Sequence, residues 1–126
     1  MEIAGKVAVI TGAASGIGRA VAVELARRNV RAMALVDMGD NIDAVAAEVN
    51  AEAGRVVAHA YRGDTTDEAF RASVYDSISS QFDTVTMRVP AAGITRDDHE
   101  GSNFLRRALR TYTPRVYRHA DGARVG

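Results

Sequence analysis

The stretch 7–18, Val-Ala-Val-Ile-Thr-Gly-Ala-Ala-Ser-Gly-Ile-Gly, constrains this chain more than any other. It opens on a short apolar run, residues 7–10, bounded by Lys6 and Thr11. So short and β-branched a run reads as a strand buried on both faces. Gly12, Gly16 and Gly18 follow. Ile17, Val21 and Leu25 then recur at i, i+4 and i+8, the period of a helix. Strand, glycine turn and helix together make a place for an anion. Glycine lets the backbone approach without a Cβ in the way. The start of the helix turns unpaired N–H groups and its positive dipole end toward the same spot. The competing reading is an ordinary tight turn, because glycine spacing alone is a weak signal.

The remainder of the chain continues the alternation. Residues 32–36 form a second apolar run ending at Asp37, 19 positions after Gly18. An acidic residue about 20 positions past a glycine loop is placed to accept the adenosine ribose hydroxyls of a dinucleotide. The bland alternative is a loop aspartate or a helix cap. Asp40 or Asn41 can cap a second helix. Ile42, Val45, Ala46 and Val49 give that helix its apolar stripe, and Gly54 closes it. Residues 55–61 form a third strand candidate, with His59 read as a strand residue at a sheet surface. Thr65 and Glu68 make a capping box for a third helix. Phe70, Val74, Ile78 and Phe82 form its buried stripe, with Tyr75 packing alongside. Residues 84–89 are the fourth strand, where a buried Arg88 would be costly unless it reaches solvent. The β-α-β-α-β-α-β alternation predicts an α/β fold of three layers, a parallel sheet with helices on both faces and right-handed crossovers. The expected arrangement is Rossmann-type, with strand order 3-2-1-4 and a ligand crevice at the carboxyl ends of strands 1 and 4.

Composition narrows the function. The 126 residues fit one domain, and 16 basic against 16 acidic side chains leave no net charge to draw the chain to nucleic acid or anionic membrane. With no cysteine there is no disulfide and no thiolate chemistry, and His59, His99 and His119 lack metal-ligand spacing. No apolar run approaches the roughly 18 residues of a membrane span. The first residues lack a signal-peptide pattern, which makes the cytoplasm the default location.

The motif Thr11-Gly12-x-x-x-Gly16-Ile17-Gly18, with Ser15 before the second glycine, resembles that of the short-chain dehydrogenase/reductase family. The resemblance runs over about residues 3–98. It implies the NAD-binding part of an oxidoreductase acting on an alcohol or a ketone. It also implies cofactor contacts from Gly12, Ser15, Gly16, Ile17 and Gly18, with Asp37 on the ribose and Asp64 near the adenine amino group. Ala92 and Gly93 would line the nicotinamide-side ribose. Where the family usually reads Asn-Asn-Ala-Gly, this chain has Pro90-Ala91-Ala92-Gly93, which removes two amide side chains. Asp37 is followed by Met38 with no arginine beside it, a pattern expected to favour NAD over NADP.

From His99 onward the motifs end. Residues 99–126 form an Arg-rich tail with one amphipathic helix expected over 102–112, stopped before Pro114. The tail fits a shifted reading frame, a shortened variant, or a basic arm diluted by acidic residues. The family's catalytic Tyr-x-x-x-Lys is absent from this sequence, whose one lysine is Lys6. In that pair the tyrosine exchanges the substrate proton, and the lysine brings its pKa toward neutrality. The expectation is therefore a truncated fold that binds NAD without turnover. The alternative is a non-catalytic dinucleotide-binding or interaction module. Strand 4 would lack an outer neighbour, and such open edges favour self-association.

Overall fold

The computed structural model describes residues 2–91. Their element order is β1 (Val7–Thr11), α1 (Gly16–Arg27), β2 (Ala32–Asp37), α2 (Ile42–Ala53), β3 (Ala58–Arg62), α3 (Glu68–Gln81) and β4 (Val85–Pro90). The strands form one parallel sheet in the order β3-β2-β1-β4, as the alternation predicts. The strand order switches direction between β1 and β4, the point at whose carboxyl ends a sheet of this kind places its ligand crevice. Ala92, Gly93 and the helix expected over 102–112 lie outside the described residues.

Burial follows the pleat. Ala8, Ile10, Met33 and Leu35 face α1 and α2 and join Val21, Leu25, Ile42 and Val49 in the larger core. Val7, Val9, Ala32, Ala34 and Val36 face the other way, onto Val74 and Ile78 of α3. Both faces of β1 and β2 are thus covered, which is why these strands read as unbroken apolar runs. Each fully buried Leu or Ile contributes about 1.5–3 kcal/mol by leaving water.

Besides β4, which runs Val85–Pro90 where 84–89 is expected, three element ends differ from the sequence expectation. β3 begins at Ala58, not at residue 55. The Asn50 side chain explains the delay: its Oδ1 accepts from the N–H groups of Val57 and Ala58 at 2.8 and 2.7 Å, and its Nδ2 donates to the Ala58 carbonyl. The α2 stripe is buried as expected and Gly54 adopts φ 72°, but Asn41 occupies the cap position without a side-chain hydrogen bond. The cap of α3 is Asp67, whose Oδ1 accepts from Ala69 and Phe70 at 2.9 and 3.2 Å. Thr65 and Glu68 do not form the expected capping box. Within the α3 stripe Val74 and Ile78 are buried, while Phe70 and Phe82 are only partly so.

β4 is hydrogen-bonded to β1 alone among the described residues. A register shift beside Val7 and Ala8 lets Met87 and Val89 face the larger core, while Arg88 is exposed with its guanidinium over the Tyr75 ring, 5.7 Å from the centroid. The arginine that looked out of place therefore reaches solvent. The Ala91 N–H turns inward to the Thr11 carbonyl at 2.9 Å. Strand alternation then turns the backbone of Pro90 and Arg88 toward the edge away from β1, where Pro90 has no N–H to offer.

Candidate functional site

The glycine loop leaves β1 at Thr11 and enters α1 at Gly16. Gly12 takes φ 70°, a left-handed conformation that favours glycine. Ser15 locks the turn: its hydroxyl donates to the Gly12 carbonyl at 2.7 Å and accepts from the Gly18 N–H at 3.0 Å. One of the four unpaired N–H groups at the start of α1 is thereby satisfied. The Ser15 side chain is therefore a helix cap, and its backbone N–H also donates to the Gly12 carbonyl, at 3.1 Å.

The three glycines have different work. A Cβ at Gly18 would lie 2.3 Å from the Gly12 carbonyl oxygen and 2.8 Å from the Ala13 Cα, so this glycine lets helix and loop touch. A Cβ at Gly16 would meet nothing within 4 Å, and Gly16 is exposed. The space in front of Gly16 is where an anion can approach the first N–H groups of α1. Ile17 is partly buried and packs its side chain against the larger core, leaving its backbone at the helix start.

Asp37, at the end of β2, is joined to this loop. Its Oδ2 accepts from the Ala14 N–H at 3.0 Å, and its Oδ1 accepts from the Gly39 N–H at 2.8 Å. Its carbonyl accepts from the Gly63 N–H at 3.0 Å, tying the end of β2 to that of β3. A carboxylate offers about four acceptor positions, so two remain for ribose hydroxyls. Asp64 stands exposed after β3, and its Oδ1 accepts from both the hydroxyl and the N–H of Thr66 at 2.7 and 2.8 Å. The hydroxyl first, and then the N–H, hold the Asp64 carboxyl below its ordinary pKa.

Gly12, Ser15, Gly16, Ile17, Gly18 and Asp37 are thus brought together at the carboxyl end of the sheet, with Asp64 further along the same rim. Sequence reasoning missed Ala14 and Gly39, the backbone donors to Asp37, and Arg62, its register partner on β3. Gly39 carried a signal, since a residue two places after an aspartate is a natural donor to its side chain. Arg62 carried none, because its place beside Asp37 depends on the strand register. Among the described residues no cluster of His, Cys, Asp and Glu could hold a metal, and no helix is long and apolar enough to cross a membrane.

The chain is similar to known proteins. The short chain dehydrogenase family matches residues 6–110. D-threitol dehydrogenase of Mycolicibacterium smegmatis is 37% identical over 95 residues, covering 73% of this chain and 35% of that protein. The Escherichia coli 3-oxoacyl-acyl-carrier-protein reductase FabG is 34% identical over 98 residues, covering 78% of this chain and 38% of that protein. Among solved structures, NAD+-bound xylitol dehydrogenase superimposes with TM-score 0.62 at 31% identity, covering 70% of this chain and 33% of that one. A short chain dehydrogenase/reductase from Burkholderia phymatum in complex with NAD gives TM-score 0.64, also at 31% identity, covering 70% and 31%. The chain therefore spans about a third of the length of these relatives. The glycine loop, the strand order and the length of the family match lead to one assignment: this chain belongs to the short chain dehydrogenase family.

Proposed function

We propose that this chain binds NAD in the cradle formed by residues 12–18 and Asp37. It would serve as the dinucleotide-holding part of an oxidoreductase acting on an alcohol or ketone. The observation that carries the proposal is the open space at Gly16 beside a carboxylate fixed to the same loop. The pyrophosphate would meet the backbone N–H groups of Gly16 and Ile17, and the ribose hydroxyls would donate to Asp37. NAD, when bound, supplies the hydride acceptor. NAD is preferred to NADP because a carboxylate at Asp37 repels a 2′-phosphate. Asp64, Ala92 and Gly93 belong to the same proposal, as contacts to the adenine and to the nicotinamide-side ribose. The cytoplasm, where these dinucleotides are available, is the proposed location.

The test is calorimetric titration of both nucleotides. NAD is expected to bind more tightly than NADP, and Asp37→Ala is expected to weaken NAD by about tenfold, the loss of a charge-assisted hydrogen bond. Tighter binding of NADP, or full NAD affinity in Asp37→Ala, would overturn the reading.

A further inference from the structure

Asp37 and Arg62 are register partners on adjacent strands, at the carboxyl ends of β2 and β3. Both lie on the α1/α2 side of the sheet. The alternation fixes this, since Val36 and Tyr61 pack against the α3 side. An arginine directly across from the ribose-binding carboxylate is in reach of anything bound there. Yet Arg62 forms its ion pair with Asp40. Its Nη2 donates to Asp40 Oδ1, and its Nε donates to the Met38 carbonyl at 3.4 Å. Asp37 meanwhile takes backbone N–H groups. The guanidinium is thus held on the turn that follows β2, by a residue other than its register partner.

We propose that Asp40 is a second determinant of cofactor choice, acting through Arg62. Resting on the dinucleotide reading above, this assigns Asp40 no contact with NAD. Its carboxylate holds the guanidinium along the β2–α2 turn and neutralises it. An arginine near the ribose is the usual means of accepting a 2′-phosphate, and its planar fork suits phosphate oxygens. Held by Asp40, Arg62 is less available for that role. Without Asp40 it is one strand spacing from Asp37, about 5 Å, and free to turn toward a 2′-phosphate. A Cβ at Gly39 would lie 2.8 Å from Asn41 Oδ1 and 3.2 Å from Asp37 Oδ1, so the backbone there is closely packed.

The experiment is calorimetric titration of NAD and NADP into the full chain and three variants, Asp40→Asn, Arg62→Gln and the two combined. Asp40→Asn should leave NAD affinity and melting temperature unchanged, because Asp40 and Arg62 are exposed and surface pairs add little stability. It should tighten NADP by about three- to tenfold, and that gain should shrink at high salt. The gain should vanish in the combined variant, which separates an Arg62 contact from mere removal of negative charge. NAD binding with unchanged NADP affinity in Asp40→Asn would overturn this proposal alone, as would a gain that survives loss of Arg62. Failure of the unsubstituted chain to bind either nucleotide would overturn the dinucleotide reading and this one together.

Discussion

At the scale of single residues, two glycines separate folding from binding. Gly18 has no room for a methyl group and Gly16 has ample room. Gly18→Ala is expected to cost about 3 kcal/mol, since the backbone of the loop must move. Gly16→Ala should change stability by only about 0.5 kcal/mol while weakening NAD, because the added methyl occupies the anion's approach. Thermal unfolding and calorimetry on both variants check the contrast; equal loss of stability would refute it. His59 gives a pH prediction. Its ring lies 4.9 Å from that of Phe82, its Nε2 has no hydrogen-bond partner among the described residues, and burial lowers its pKa below 6.5. The folded chain therefore holds fewer protons here than the unfolded chain at mildly acidic pH. Its contribution to stability is intact above pH 6.5 and is lost as pH falls through the lowered folded value. Melting temperature should drop across that window, and His59→Phe should flatten the drop.

At the scale of elements, periodicity made much of the fold legible and its ends least so. The strands β1 and β2 and the stripe of α2 were readable because burial on both faces, or on one helical stripe, dictates residue type directly. The start of β3 was not, because Asn50, a residue of the preceding helix, takes the backbone groups that would have extended the strand. The cap of α3 was misassigned because Thr65, Asp67 and Glu68 all suit a helix start, and only the backbone path selects Asp67. In the site, residues tied by local spacing could be found, while Arg62 depends on register between strands. The α3 cap is testable. Asp67→Ala should cost about 1 kcal/mol in chemical unfolding, and Thr65→Ala should cost much less; the reverse order would restore the capping box. The outer edge of β4 yields a second element-scale prediction. We propose that the chain self-associates through this edge, weakly, since Pro90 offers no N–H and Arg88 places a charge beside it. Pro90→Val should raise the dimer fraction in sedimentation, and an unchanged monomer in both would exclude edge pairing.

For the molecule as a whole, holding a dinucleotide and reducing it are separable tasks. Hydride transfer from an alcohol needs a group that takes the hydroxyl proton, and general acid–base assistance of this kind contributes about 10²- to 10⁴-fold. Among the described residues, neither tyrosine is suited. The Tyr61 hydroxyl is paired with Ser77 Oγ at 2.8 Å, on the α3 side of the sheet. Tyr75 lies beneath Arg88 on that same side, and burial outweighs the arginine and raises its pKa above 10. A phenol with so high a pKa is a poor base near neutrality. The one lysine, Lys6, precedes β1, at the amino end of the sheet and opposite the crevice. We therefore predict that this chain, assayed alone, binds NAD and does not turn over secondary alcohols or ketones. Nicotinamide absorbance on rigorously purified protein is the measurement, with no rate above the uncatalysed background as the expected outcome. Robust turnover that is abolished by Gly16→Val would refute the division of labour argued here.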